Sequence, residues 1–347
     1  MMQLRDFLKD ITAREGLSGD EGAVAARIAQ AFEPYVDKVR ITPLYDVIAT
    51  VGTKGPKVMI AAHEDEIGLM ALDIEDDGSI RVARVGGVDP RILPAAEVRV
   101  MAKDGPLFGV IGAKPPHLLT DADRKKSPKI ENMYVDTGFD AETVRKLVRP
   151  GDRIALTGSA TELKNNVMAS KTMDDRACVG AMLEAAKWLG RMNVSSRVQF
   201  VATSQEEVGS YGAMTACWAG EPDYAIALDV THAEMPGCEK WEVHPIDKLA
   251  ICTGPNINPE LERRIRKTAE INRVEYSVEA SSGTTYTDAD PMQISREGVP
   301  TALISVPVRY MHTTVETLDT GVIEEAGRLL ALAIRDIADE REAIKWY

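Results

Sequence analysis

Histidine is scarce in this sequence, with five residues in 347, and cysteine is scarcer, with four. The cysteines, Cys178, Cys217, Cys238 and Cys252, lie far apart and form no CxxC pair, so neither a thiolate metal site nor a redox motif is indicated. No apolar run approaches the roughly 20 residues that cross a bilayer. The N-terminal stretch interleaves Leu4, Phe7, Leu8 and Ile11 with Arg5, Asp6, Lys9 and Asp10. It therefore reads as an amphipathic helix ending near Gly16 and lacks the uninterrupted apolar centre of an export signal. The expectation is a cytoplasmic protein whose cysteines stay reduced and carry no function. Positive charge is also short: 41 Lys and Arg stand against 54 Asp and Glu, a net charge of −13. That balance argues against nucleic acid and against an anionic membrane surface as partners. It does not separate acid kept for solubility from acid kept as metal ligands.

Ordinary bulk numbers accompany these shortages. An apolar content of 44% and a charged content of 27% describe a chain that buries a sizeable core. Its length suggests about two domains rather than one. Ser18 and Asp20 offer N-caps for a second helix with Val24, Ile28 and Phe32 on one face. Strand-like runs follow at Val39–Ile41, Val47–Val51 and Val58–Ala62. From Leu69 to Leu163 the texture becomes β-rich, with short runs such as Ile80–Val85, Val98–Ala102 and Leu107–Ile111 punctuated by Gly and Pro. After Lys164 helices and apolar strands alternate again. Helices are expected from Asp174 to Leu189, at Tyr211–Trp218 and Pro259–Asn272, and over Thr320–Arg341; strands are expected at Val198–Thr203, Tyr224–Asp229 and Thr301–Val306. The fold class is thus α/β: a mostly parallel-sheet domain with helices on both faces, built from residues 1–68 and 164–347 and interrupted by a β-rich insert, residues 69–163.

Open α/β sheets gather function at the carboxyl ends of their strands. Here Val58–Ala62 runs into His63, Glu64, Asp65 and Glu66. Val198–Thr203 leads to Glu206 and Glu207, Tyr224–Leu228 to Asp229, Thr301–Val306 to His312, and Asp174-Asp175 opens a helix. Imidazoles and carboxylates are the donors that divalent ions take in hydrolytic sites. A paired Glu206-Glu207 allows one side chain to bind metal while its neighbour handles a proton. Taken singly, each residue has a plainer reading: Asp174-Asp175 is a helix N-cap, Glu206-Glu207 a solvated surface, Asp229 a turn residue. Their joint placement past strand ends, in a chain with few histidines, favours a metal hydrolase.

The stretches Ala61–Gly68 (AAHEDEIG), Met173–Arg176 (MDDR), Ala202–Gly209 (ATSQEEVG), Leu228–Thr231 (LDVT) and Arg309–His312 (RYMH) resemble the M42 metallo-aminopeptidases, which include the TET and glutamyl aminopeptidases. Softer matches at Val110–His117 and Thr287–Ala289 extend the resemblance over nearly the whole chain. The resemblance implies an aminopeptidase acting on short peptides, with two divalent ions per subunit, zinc first and cobalt or manganese as alternatives. His63, Asp174 and Asp229 would hold one ion and Asp174, Glu207 and His312 the other, so Asp174 would bridge. Glu206 would be the general base and acid, and Asp65 would orient His63. The insert would be a PDZ-like or barrel-like dimerisation domain, and dimers would assemble into a hollow tetrahedral dodecamer. Glu64 and Tyr286 depart from the family pattern, where Met and Gly are frequent. His232 is assigned a structural or supporting place near the site, His117 a loop or subunit contact, and His244 no function. Two other classes remain as alternatives, a glycan hydrolase and a non-catalytic self-assembling scaffold.

Overall fold

The computed structural model describes residues 2–121, 126–192, 195–339 and 344. Helix α1 (Leu4–Thr12) and helix α2 (Gly22–Phe32) precede strands β1 (Lys38–Ile41), β2 (Val47–Val51) and β3 (Lys57–His63). The chain then leaves the sheet for β4 (Gly68–Ile74), β5 (Ile80–Val85), β6 (Glu97–Ala102), β7 (Gly105–Ile111), β8 (Tyr134–Asp136), α3 (Ala141–Leu147) and β9 (Arg153–Leu156). It returns through β10 (Thr161–Glu162) and β11 (Val167–Ser170) to α4 (Met173–Leu189), β12 (Arg197–Thr203), α5 (Tyr211–Gly220) and β13 (Tyr224–His232). The last elements are β14 (Leu249–Thr253), α6 (Pro259–Ile271), β15 (Tyr276–Ala280), α7 (Ala289–Gln293), β16 (Thr301–Val308), β17 (Glu316–Asp319) and α8 (Thr320–Asp339).

The main sheet has eight strands in the order β1-β2-β12-β3-β13-β16-β14-β15. Its centre, β12-β3-β13-β16, is parallel throughout, and antiparallel pairs flank it on both sides. Side chains along each strand alternate between faces, and the two faces are buried differently. Ile60, Ala62, Ile226 and Leu228 join one large core with α1, α2, α4, α6 and α8. Met59, Ala61, Ala225 and Ala227 join a smaller core with α5 and α7 on the other side. Both faces of β3 are therefore dry, which accounts for its unbroken apolar run. The strands β4 to β9 close on themselves as a six-stranded antiparallel barrel with its own core, from Leu69 and Ile80 to Ile154. The α/β class with a β-rich insert is what the structure has.

Several local expectations are corrected. The first helix stops at Thr12, not near Gly16, and Ala13 caps it. Neither Ser18 nor Asp20 caps α2; Glu21 precedes that helix and makes no side-chain cap. The Ser18 hydroxyl instead donates to Asp65 at 2.6 Å, a buried partner that wins over a local one. Asp174 and Asp175 are not an N-cap: both have non-helical backbone angles, and no side-chain cap is made at the start of α4. Strand β13 runs past Asp229 to His232 because pairing with β16 continues through Asp229↔Ser305 to His232↔Val308. The strands β4, β10, β11, β14, β15 and β17 add to those expected. Residues 340–341, assigned above to the closing helix, lie outside the described residues.

One buried cation ties the sheet to the helices. Arg176 is fully buried at the start of α4. Its Nε donates to the carbonyl of Glu64 at 2.8 Å, and one terminal nitrogen donates to the carbonyls of Ile11 and Arg14 at 2.6 and 2.7 Å. The guanidinium thus satisfies carbonyls at the end of α1, where a helix leaves acceptors unpaired, and fixes the segment that follows β3. Lys171 forms a buried ion pair with Glu66 beside it. Among the described residues no helix is long and apolar enough to cross a membrane.

Helices α4 and α8 pack closely at Gly327, where an added Cβ would meet Glu184 Cβ at 2.5 Å, the Ala181 carbonyl at 2.7 Å and the Ala185 nitrogen at 3.0 Å. Gly327→Ala gains roughly 1 kcal/mol of helix propensity. Overpacking costs about 1–3 kcal/mol, and contact with rigid backbone places it at the upper end. The expected outcome is net destabilisation, read as a lower urea midpoint at unchanged m-value.

Candidate active site

Five elements deliver the site to one end of the sheet. His63 is the last residue of β3, and Thr203 pairs with it in register as the last residue of β12. The chain after β12 turns back, with Gln205 at a positive φ of 55°, and presents Glu206 and Glu207. Asp65 holds that turn: its carboxylate accepts from the amides of Glu206 at 2.9 Å and Glu207 at 3.3 Å. The same carboxylate lies 3.5 Å from His63 Nδ1. Asp229 points from within β13. Asp174 sits between β11 and the helical part of α4, and His312 lies in the turn from β16 to β17.

The side chains converge on Asp174. One of its oxygens is 3.0 Å from His63 Nε2, and the other is 3.1 Å from His312 Nε2. His312 Nε2 is also 3.3 Å from Glu207, and His63 Nε2 is 4.0 Å from Glu206. Two donor groups result, His63-Asp174-Asp229 and Asp174-Glu207-His312, each with its ligand atoms within 4.8 Å of one another. Asp174 is common to both. The barrel supplies a wall: Gly87, just past β5, places its carbonyl 3.1 Å from His312 Nδ1. A Cβ at position 87 would lie 2.6 Å from that ring, so glycine is needed for the approach.

Electrostatics mark the cluster as short of positive charge. Burial would lower both imidazoles, yet the carboxylates win. Hydrogen bonds to Asp174 and Asp65 raise His63 well above its ordinary value, and those to Asp174 and Glu207 raise His312 to about 11. Burial raises Asp174 in turn, but hydrogen bonds from His312 and His63 pull it below the usual carboxylate range. Burial, with Asp175 adding to it, pushes Asp229 far up. Burial also pushes Glu206 up to about 10, against the pull of His63 and with the help of Asp229 and Asp288. No lysine or arginine among the described residues lines the surrounding cleft of about 750 Å³. Four carboxylates and two imidazole edges directed at a common space, with no lysine or arginine among the described residues of the lining, fit two divalent ions sharing a carboxylate.

Two carboxylates with a bearing on the site were not singled out from the sequence. Glu316 is buried and accepts from the Asp174 amide at 3.0 Å and the His312 amide at 2.8 Å, so it locks two of the converging residues to each other. No periodicity marks it; it is one glutamate four residues past His312. Asp288, within the Thr287–Ala289 stretch, is buried and accepts from the Thr203 hydroxyl, and burial raises it to about 6. Glu64 points away into the protein, with both carboxylate oxygens lacking a hydrogen-bond partner, and burial drives it well above its ordinary value. Tyr286 stands on the rim of the cleft, 86% exposed. His232 is exposed and lines the cleft. His244 lies aside: its amide donates to the His232 carbonyl at 2.8 Å and its ring contacts Ser277 at 2.9 Å. His117 lies in a short 3-10 turn of the insert, remote from these residues in the chain.

Comparison with known proteins bears on what such a site does. The model of the family described as M42 glutamyl aminopeptidase matches residues 46–329. A lysyl aminopeptidase from Pyrococcus furiosus is 36% identical over 340 residues, 96% of this chain and 97% of that protein. The structure of an aminopeptidase from the archaeon Desulfurococcus kamchatkensis superposes with a TM-score of 0.88 at 36% identity, covering 96% of this chain and 94% of the other. A Pyrococcus horikoshii TET1 peptidase, described as assembling into a tetrahedron or a large octahedral shell, gives a TM-score of 0.85 at 30% identity, covering 97% and 100% of the two chains.

The role of Glu316 is open to direct measurement. Glu316→Ala removes the acceptor shared by two buried amides and frees Asp174 and His312 to move apart. Divalent-ion affinity, measured by competition with a chromogenic chelator, is expected to fall about 10- to 100-fold, the usual effect of losing a group that orients metal ligands.

Proposed function

The chain belongs to the M42 family of aminopeptidases, and from that premise we propose that it is a dinuclear-metal hydrolase releasing residues from the N-terminus of short peptides. The observation that carries this reading is Asp174, whose two carboxylate oxygens each contact a different histidine, His63 and His312. A carboxylate so placed is suited to bridge two ions. In this reading His63 and Asp229 complete one ion's ligands, and Glu207 and His312 the other's, with zinc the first candidate and cobalt or manganese also compatible with the donors. Two divalent ions, when bound, polarise the scissile carbonyl and make water acidic enough to lose a proton near neutral pH.

The chain's own groups do the rest. Glu206 accepts the proton from the attacking water and returns it to the leaving amine nitrogen. Burial and Asp229 hold its carboxyl high, so its ionised form depends on added positive charge, which couples proton transfer to a loaded site. Asp65 keeps Glu206 and Glu207 in place through their amides and faces the far nitrogen of His63. The cleft walls orient the peptide and exclude water from its reacting end. The β-barrel is assigned as the dimer contact, with assembly of dimers into a closed tetrahedral shell as in the TET relatives, and the cytoplasm is the proposed compartment.

Nothing at the site favours a glycan hydrolase. That chemistry uses two carboxyl groups facing one bond, about 5–9.5 Å apart and without metals. Here carboxylates and histidine nitrogens crowd within 4.8 Å. A non-catalytic scaffold would have no need of the complete donor set.

Glu206→Gln preserves shape and leaves all five proposed ligands in place. Metal content by atomic spectroscopy is expected to match that of the wild type, while kcat on an aminoacyl chromophore falls by about 10²–10⁴-fold. Near-normal turnover in that variant would show that the proton passes through another group.

A further inference from the structure

The family relationship leaves open which N-terminal residue is released. The cleft contains a feature that bears on this and has no part in the mechanism above. Glu279, on β15, lines the cleft together with Thr231 on β13. One of its carboxylate oxygens accepts from the Thr231 hydroxyl and the other from the Ser305 hydroxyl, each at 2.6 Å. Thr231 and Ser305 are both buried, so hydroxyls from two adjacent strands, β13 and β16, fix the carboxylate. Each oxygen uses one acceptor direction on a hydroxyl, which leaves capacity on both for an incoming donor.

The other acid that lines the cleft away from the metal ligands is differently employed. Asp290 accepts from the amides of Thr285 and Tyr286, from the Thr285 hydroxyl and from the Asn256 side chain, so its hydrogen bonding is spent on holding its own loop. Glu279 is the carboxylate with capacity to spare, and no lysine or arginine among the described residues of the lining neutralises it. The charge balance points the same way. Two divalent ions would be matched by the four carboxylates Asp174, Glu206, Glu207 and Asp229, which leaves Glu279 and the loop-holding Asp290 as the negative charge of the lining that no cation among its described residues matches.

Position decides what could reach it. Thr231 lies two residues beyond Asp229 on the same strand and so on the same face, about 6.6–6.8 Å further along. The carboxylate is therefore set off from the metal cluster by the scale of one long side chain. Met214 and Ile294 line the cleft and are exposed, 44% and 73%. Apolar side chains in the same cleft as a fixed carboxylate suit a side chain with an aliphatic stem and a cationic head.

We propose that Glu279 is the specificity-determining residue of the cleft and that the residue released is basic, lysine or arginine. The proposal rests on the aminopeptidase reading. A lysine ammonium or arginine guanidinium would meet the open faces of the Glu279 carboxylate in a charge-assisted hydrogen bond. A glutamate side chain would meet a like charge and no counter-cation. A leucine side chain would fill the apolar walls and leave the anion unpaired.

The test is a panel of Lys, Arg, Leu and Glu para-nitroanilides hydrolysed by the metal-loaded full-length protein, with kcat/KM for each. Lys and Arg are expected to lead and Glu to be poorest. In Glu279→Gln, which keeps the shape and one acceptor oxygen, the ratio of Lys to Leu is expected to fall about 10- to 100-fold, the loss of one hydrogen bond to a charged partner. A wild-type preference for Leu or Glu overturns the proposal whether or not the variant folds, and so does an unchanged Lys-to-Leu ratio in the folded variant. Equal loss on all four substrates also overturns it, since Glu279 would then be holding something every substrate shares. Hydrolysis of none of the four by wild type is a distinct result: it removes the aminopeptidase reading itself.

Discussion

Negative charge gathered at one end of a parallel sheet is the constraint around which this molecule is organised. Asp174, Glu206, Glu207 and Asp229 are held close to one another with two imidazoles and no lysine or arginine among the described residues of the cleft. Such an arrangement is costly to fold, because burial disfavours the ionised carboxylates and their neighbours repel them. The raised positions of Asp229 and Glu206 express that cost. The surroundings meet it with many fixed bonds. Asp65 holds two amides of the Glu206-Glu207 turn, Glu316 holds the amides of Asp174 and His312, and Asp175 accepts from the amide of His63 at 3.3 Å. Four of the five proposed ligands, all but Asp229, are thus oriented by a second acid, on backbone that the sheet and α4 hold.

The rest of the architecture serves that end of the sheet. Arg176 and the Lys171–Glu66 pair lock α1, the segment after β3 and the start of α4 into one unit. The barrel is more than an appendage, because the turn after β5 brings Gly87 against His312. An insert that contributes backbone to the candidate site is tied to the main domain by contact as well as by chain connection. Gly87 and Glu279 line the same cleft.

Much of this could be read from residue order. A dry strand such as Val58–Ala62 announces itself by an apolar run, and the polar residue that ends it falls where open α/β sheets place their chemistry. The Glu206-Glu207 pair and the β-rich texture of the insert are equally plain. Local capping was less legible. Ser18 has the pattern of an N-cap, yet its hydroxyl turns to Asp65, a buried carboxylate that takes it as a donor. Asp174-Asp175 has the pattern of a helix opening, but the backbone there is bent away from the helix to aim one carboxylate at two histidines. Glu316 and Glu279 carry no sequence signal, since nothing in the chain near them states what they will touch.

What the sequence by itself determined is the alternation of strands and helices, the interruption by a β-rich insert, and the kinds of donor that stand at the strand ends. Hydrophobic periodicity encodes these because it depends on near neighbours along the chain. Only the tertiary structure decided which carboxylates meet. Asp174 and His312 are 138 residues apart and come together because α4 packs beneath the sheet and the β16–β17 turn folds over it. The anion at Glu279 is shaped by hydroxyls from β13 and β16, strands that the fold, and not the order of residues, sets beside it. Distances between side chains from remote segments follow from packing, and packing is the property that a linear pattern does not contain.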